Sequence, residues 1–186
     1  MRARGQECHP PVAWANTVRM LGPVSHPIEI VPATVVELDA LIDGDATFTR
    51  RTGLRPVPGW CGFPDVVAGA RAMLAAEIEP RWASHLVSHV ADRALIGIAG
   101  YKGPPGGGEV EIGYALAPPY RGRGLATLVA TTLVERARAA GVRTVLAHTL
   151  AGPNPSTRVL VRCGFTRVAE FDDPDDGPVW RWELGR

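Results

Sequence analysis

Long hydrophobic runs are missing from this 186-residue chain, and so is any excess of charge: 20 Lys and Arg stand against 19 Asp and Glu, a formal net charge of +1. No stretch approaches the roughly 20 apolar residues that a membrane-spanning helix needs. Arg2 and Arg4 are followed by Cys8, His9, Pro10 and Pro11 rather than by the apolar core of a secretory signal. The charge balance provides no global field towards nucleic acid or an anionic membrane, and an aromatic content of 6% offers few stacking platforms. Cysteine is scarce as well. Cys8, Cys61 and Cys163 are an odd number without metal-ligand or redox-pair spacing, which argues against a disulfide framework and for a reducing, cytoplasmic setting. His85 and His89 are four apart on a segment that reads as strand, with no third ligand evident, so no metal is expected.

What is present is an ordinary globular composition, 46% hydrophobic and 21% charged, of a length that supports one domain. Residues 1–26 carry Pro10, Pro11 and Pro23 without helical or strand period and read as an amino-terminal tail or arm. Residues 27–186 read as the domain. It opens on the alternating Ile28, Glu29, Ile30 and Val31, and a capping box at Thr34 and Glu37 starts a helix that ends near Ile42. Residues 45–62 are rich in Gly, Pro and Arg and read as a flexible loop over a binding site or, equally, as a plain surface loop.

A second helix is expected after Pro64, then strands over 85–91, 95–101 and 109–117. A third helix opens near Gly122, its buried stripe marked by Leu125, Val129, Leu133 and Ala137. A strand over 144–150, a short helix over 155–163 and a final hairpin complete the order β-α-α-β-β-β-α-β-α-β-β. That order predicts an α+β domain: a mixed, mostly antiparallel central sheet of about seven strands with helices on both faces.

The most informative segment stands where a strand gives way to that third helix: Arg121, Gly122, Arg123, Gly124, Leu125, Ala126 and Thr127. Gly122 and Gly124 free backbone N–H groups to approach an anion, the helix start adds unpaired N–H groups and a positive dipole end, and the arginines add mobile charge. Thr127 stands where a dinucleotide fold needs its third glycine, and no Lys-Ser/Thr pair makes a P-loop. Residues 121–126 alone fit a surface turn equally well.

In context the chain resembles the GNAT superfamily of acyl-CoA N-acyltransferases, whose coenzyme motif is Arg/Gln-x-x-Gly-x-Gly/Ala. Arg121, Gly124 and Ala126 match it. Glu111, Ile112, Gly113 and Tyr114 resemble that family's fourth strand, and Asn154, Ser156, Arg158, Val159 and Leu160 with Gly164 and Phe165 resemble its carboxy-terminal motif. The pattern is most similar to the branch containing the ribosomal-protein amino-terminal acetyltransferases. The resemblance implies acetyl-CoA as acyl donor, its pantetheine bonded by the backbone of Leu116 and Ala117 and contacted by Asn154. Its pyrophosphate would be held by Arg121, Gly122, Arg123, Gly124, Leu125 and Ala126, with help from Thr127. Asn154 stands two residues before Ser156 instead of the family's three, and Val161 stands nearest the place of its tyrosine acid.

An amine attacks a thioester only when neutral, so a carboxylate near the cleft would serve as base. Glu111 is the candidate, on the strand leading to the coenzyme loop; a solvated strand carboxylate is the competing reading. The leaving thiol, with a pKa of about 8.5 to judge from cysteine, needs no strong acid. Ser156 is the candidate donor to it, against a plain helix cap. The acidic turn from Asp172 to Asp176 is either an attractor for a cationic amine or a solvated hairpin tip. Trp60 and Trp82 are candidate linings of the acceptor pocket. The expected acceptor is a small-molecule amine or a peptide amino terminus, with no nucleic-acid or membrane partner and a homodimer left open. A catalytically quiet acyl-CoA-binding module is the alternative.

Overall fold

Alternation in the first strand sets the layers. The computed structural model describes residues 27–62 and 65–185, so the expected tail over 1–26 lies outside the described residues. In β1 (Ile28–Pro32) Ile28 and Ile30 are buried while Glu29 and Val31 are exposed, the two-residue period of a strand with one covered face. Helix α1 (Val35–Ile42) starts at the expected capping box. Thr34 Oγ1 accepts the Glu37 N–H at 3.2 Å, and Glu37 Oε2 accepts the Thr34 N–H at 2.9 Å.

Residues 45–62 depart from the expected loop. They form α2 (Asp45–Thr52), closed by Gly53 in the left-handed region at φ 74°, and then the short β2 (Arg55–Pro56). Helix α2 has a single apolar anchor, Phe48, which is fully buried. One anchor leaves no apolar period to read, and tertiary burial rather than local propensity holds such a short helix.

The remaining elements lie close to expectation: α3 (Val66–Ala75), β3 (Ser84–His89), β4 (Ala94–Tyr101), β5 (Glu109–Leu116), α4 (Leu125–Ala139), β6 (Thr144–Leu150), α5 (Pro155–Arg162), β7 (Thr166–Asp173) and β8 (Gly177–Leu184). The sheet runs β1-β3-β4-β5-β6-β8-β7, with β2 paired to β4. Among the described residues only β2 with β4 and β5 with β6 are parallel, which makes this the mixed, mostly antiparallel sheet of an α+β domain. Helix α4 buries Leu125, Val129, Ala130, Leu133, Val134 and Ala137. Tyr101 ties it to the sheet by donating its hydroxyl to Leu133 O at 2.7 Å. At Gly97 strands β4 and β5 come so close that a Cβ would stand 2.4 Å from Ala115 O, so only glycine fits.

His85, in β3, is 2% exposed, with Nδ1 3.1 Å from Ala83 O and its ring edge-on to Tyr101. Burial first, and the Arg136 charge with it, lower its pKa to about 4 against an opposing hydrogen bond to Ala83. The folded pKa lies below the unfolded one, so the contribution is complete above about 6.5 and is lost as pH falls towards 4. About 3 kcal/mol is at stake. Unfolding free energies at pH 7 and pH 4.5 are expected to fall apart less in His85→Gln than in the parent chain; an equal acid loss in both would contradict this.

Candidate active site

β5 and β6 are parallel neighbours that pair at only three positions: Glu109 with Thr144, Val110 with Val145, and Glu111 with Leu146. No ladder joins them further on, so a fork opens towards the carboxyl ends of both strands, the place where α/β sheets accept ligands. Ala117 N–H donates to Ile96 O at 2.8 Å, and Lys102 N–H to Glu111 O at 3.0 Å. By antiparallel alternation, the odd-numbered residues of β5 therefore bond to β4, and the backbone groups of Tyr114 and Leu116 are directed into the fork. Leu116 O is engaged by Arg121 Nε at 2.8 Å. Of the two expected pantetheine partners, Leu116 offers its N–H to the fork, and Ala117 spends its N–H on β4.

The loop after β5 is built as an anion cradle. Gly122 and Gly124 lie at φ 74° and 77°, a region that L side chains rarely adopt, and a Cβ at either would meet only open space. The N–H groups of residues 122–127 have no acceptor among the described residues. Gly124 is the N-cap of α4 and provides no capping side chain, so the dipole end of the 15-residue helix is bare. Arg121, Gly122, Arg123 and Gly124 are exposed, whereas Leu125 is buried and Ala126 and Thr127 are half-buried. Tyr120 anchors the loop: it is buried, its hydroxyl donates to Asp92 Oδ2 at 2.6 Å, and Arg123 lies 5.1 Å over its ring. That hydrogen bond is the main reason the Tyr120 pKa is raised.

At the apex of the fork sits a charged cluster. Glu111 Oε1 lies 2.5 Å from Lys102 Nζ and 2.9 Å from His148 Nδ1. The oxygen is shielded from solvent, and both contacts are within ion-pair distance. Burial is the largest influence on Glu111 and pushes its pKa up, but the contacts and charges of Lys102 and His148 together outweigh it and hold the carboxyl below its ordinary value. His148 stacks edge-on against Phe171 at 5.5 Å. The acidic tip is close by: Asp173, held below its ordinary pKa by the N–H groups of Asp175 and Asp176, also feels the charges of Lys102 and His148. On the other side, Gly62 packs against Ala115 and Gly59 against Pro118, so the 57–62 loop walls the fork.

His148 and Lys102 carry no motif. They join Glu111 only through strand register, since Leu146 pairs with Glu111 and His148 is the next residue of β6 on that face. A signal was available in Leu146, His148 and Leu150, where one polar residue interrupts an apolar alternation.

The other candidates are distributed differently. Asn154 caps α5: its Oδ1 accepts the Thr157 N–H at 3.0 Å, and its Nδ2 donates to Leu150 O and Gly152 O at 3.0 and 3.2 Å. Its amide is thus engaged within its own turn. Because Asn154 is the cap, Ser156 is not, and the Ser156 hydroxyl has no hydrogen bond among the described residues. Ser156 O lies 3.5 Å from the half-buried Tyr114 hydroxyl, which burial pushes well above its usual pKa. Val161 is 60% exposed. Trp60 and Trp82 are buried in the core, the latter against Tyr101 at 5.0 Å.

This is the architecture of a coenzyme A-dependent acyltransferase, and residues 29–166 match the acetyltransferase (GNAT) domain family. The chain belongs to that family and is an acyl-CoA-dependent N-acetyltransferase. The fold is similar to that of the ribosomal-protein-S5-alanine acetyltransferase of Vibrio fischeri, at 12% identity and TM-score 0.62, over 86% of this chain and 93% of that one. It is also similar to RimL, a ribosomal L7/L12 alpha-N-protein acetyltransferase in complex with coenzyme A, at 16% identity and TM-score 0.63, over 88% and 96%. A third similar structure is the microcin C7 self-immunity acetyltransferase with acetyl-CoA and AMP, at 13% identity and TM-score 0.61, over 86% and 93%. No curated protein matches significantly. Among the described residues, no helix is long and apolar enough to cross a membrane.

Proposed function

We propose that this enzyme moves an acetyl group from acetyl-CoA to a primary amine, of a small molecule or a peptide amino terminus, by direct attack in a ternary complex. One observation carries the reading: β5 has the bare N–H cradle at one end, Glu111 at the other, and fork-facing backbone groups between. From Leu116 back to Glu111 the strand covers roughly 17 Å, a track for an extended pantetheine arm. Residues 121–127 would hold the pyrophosphate, and the Tyr114 backbone with the Leu116 N–H would bond the arm. The thioester would then lie beside Glu111, with the free Ser156 hydroxyl as proton donor to the leaving thiolate. Proximity and orientation supply much of the rate in such a site.

The acidic tip beside the cluster favours a cationic acceptor that binds as ammonium and is deprotonated in place. A catalytically quiet acyl-CoA-binding module is the second reading, favoured by Val161 at the place of the family's tyrosine acid. Thiol release from acetyl-CoA over a panel of primary amines separates the two. Turnover is expected, with Ser156→Ala lowering kcat about tenfold or more at unchanged coenzyme affinity. Binding without turnover would leave the module reading.

A further inference from the structure

The carboxylate at the fork is poorly suited to taking a proton. Glu111 is held in its charged form by two cationic or polar neighbours on the same shielded oxygen, Lys102 Nζ and His148 Nδ1. A base so stabilised gains little by accepting a proton from an ammonium. His148 stands differently. Its Nδ1 faces the carboxylate, which selects the tautomer with the proton on Nδ1 and leaves Nε2 as a lone-pair acceptor. Nε2 has no partner among the described residues, and the side chain is 22% exposed. Phe171, edge-on at 5.5 Å, fixes the ring plane. Leu146 is the last residue of β6 paired to β5, so His148, two positions further, stands just inside the fork. Arg181, directly opposite on β8, is drawn away by Glu109 at 3.6 Å and Glu183 at 3.0 Å.

We propose that His148 Nε2 takes the proton from the acceptor ammonium and that Glu111 is a positioning residue, held in place by Lys102, that sets the His148 tautomer and ring direction. The inference rests on the acyl-transfer reading above. The amine gives one proton to Nε2, and its lone pair forms the C–N bond at the thioester carbonyl carbon. The C–S bond then breaks with its electron pair on sulfur. Ser156 Oγ gives its proton to that sulfur and takes the second proton of the attacking nitrogen in its place, and His148 returns the first to solvent. The result is an amide and a free coenzyme thiol.

The test uses the full chain, acetyl-CoA and the best amine of the panel. His148→Gln is expected to lower kcat by about 10²–10⁴-fold while the acetyl-CoA dissociation constant stays within twofold. His148→Ala should regain turnover in proportion to added imidazole. Glu111→Gln should lower kcat less than His148→Gln does, Glu111→Asp should recover part of that loss, and ¹⁵N spectra of histidine-labelled Glu111→Leu, which has no acceptor, should show the His148 proton leaving Nδ1. His148→Gln within twofold of the parent kcat, or a larger loss in Glu111→Gln with the tautomer unmoved in Glu111→Leu, would overturn the assignment and return the base to Glu111. A parent enzyme that binds acetyl-CoA but acetylates no amine would overturn the acyl-transfer reading itself, and this assignment with it.

Discussion

Gly124→Glu is expected to abolish useful acetyl-CoA binding in a chain that still folds. Space is not the obstacle, since nothing lies within 4 Å of a Cβ built at Gly124. The backbone at φ 77° is a region that costs a non-glycine residue about 1–2 kcal/mol. A glutamate at the N-cap recovers part of that by facing the positive end of α4. Its carboxylate would occupy the N–H groups of residues 122–127 and repel the pyrophosphate that should replace it. We expect a dissociation constant raised at least about 100-fold, some 2.7 kcal/mol, with a melting temperature changed by only a few degrees. Gly124→Ala, with the strain but not the charge, should weaken binding far less. Titration calorimetry on both variants decides it, and an unchanged constant in Gly124→Glu would mean that the coenzyme phosphates bind elsewhere.

Phe48→Ala is expected to be the most destabilising of the single changes considered. Phe48 is 0% exposed and is the one side chain that fastens α2 to the core shared with Leu38 and Ala70. Truncating a buried phenylalanine costs about 3–5 kcal/mol. For a domain of this size that is a fall in Tm of roughly 10 °C. If residues 45–52 were the open loop that their composition suggests, the same change would cost less than about 0.5 kcal/mol. Calorimetric unfolding of the two proteins separates these values cleanly.

These two residues also mark where the sequence was legible and where it was not. The glycine-arginine turn, the helix that follows it and the strand before it could be read because each has a local cause: positive φ, an apolar stripe, alternation. The family resemblance gave a weak phosphate motif its reading as a coenzyme site, and residues 29–166 match that family. Helix α2 could not be read, because one phenylalanine in eight residues makes no period. Trp60 and Trp82 were candidate pocket linings for their places near the 45–62 segment and the helix after Pro64; the structure shows both buried.

The site itself was half legible. Glu111 has a place in a motif, whereas Lys102 and His148 reach it from 9 positions before and 37 after, distances over which only sheet register decides who meets whom. Asn154 was read for its family role, and the structure makes it the N-cap of α5. With the cap supplied by Asn154, the serine hydroxyl is not engaged at the helix start.

The central claim is that coenzyme lies in the fork between β5 and β6 with its thioester at Glu111 and His148. A crystal structure of the enzyme with acetyl-CoA tests it most directly. The account predicts the pyrophosphate on the N–H groups of residues 122–127, the pantetheine arm bonded to the Tyr114 backbone and the Leu116 N–H, and room for the acceptor nitrogen between the acetyl carbonyl carbon and His148 Nε2. Coenzyme bound with its phosphates away from that cradle, or with its sulfur on the far side of the sheet from Glu111, would contradict it.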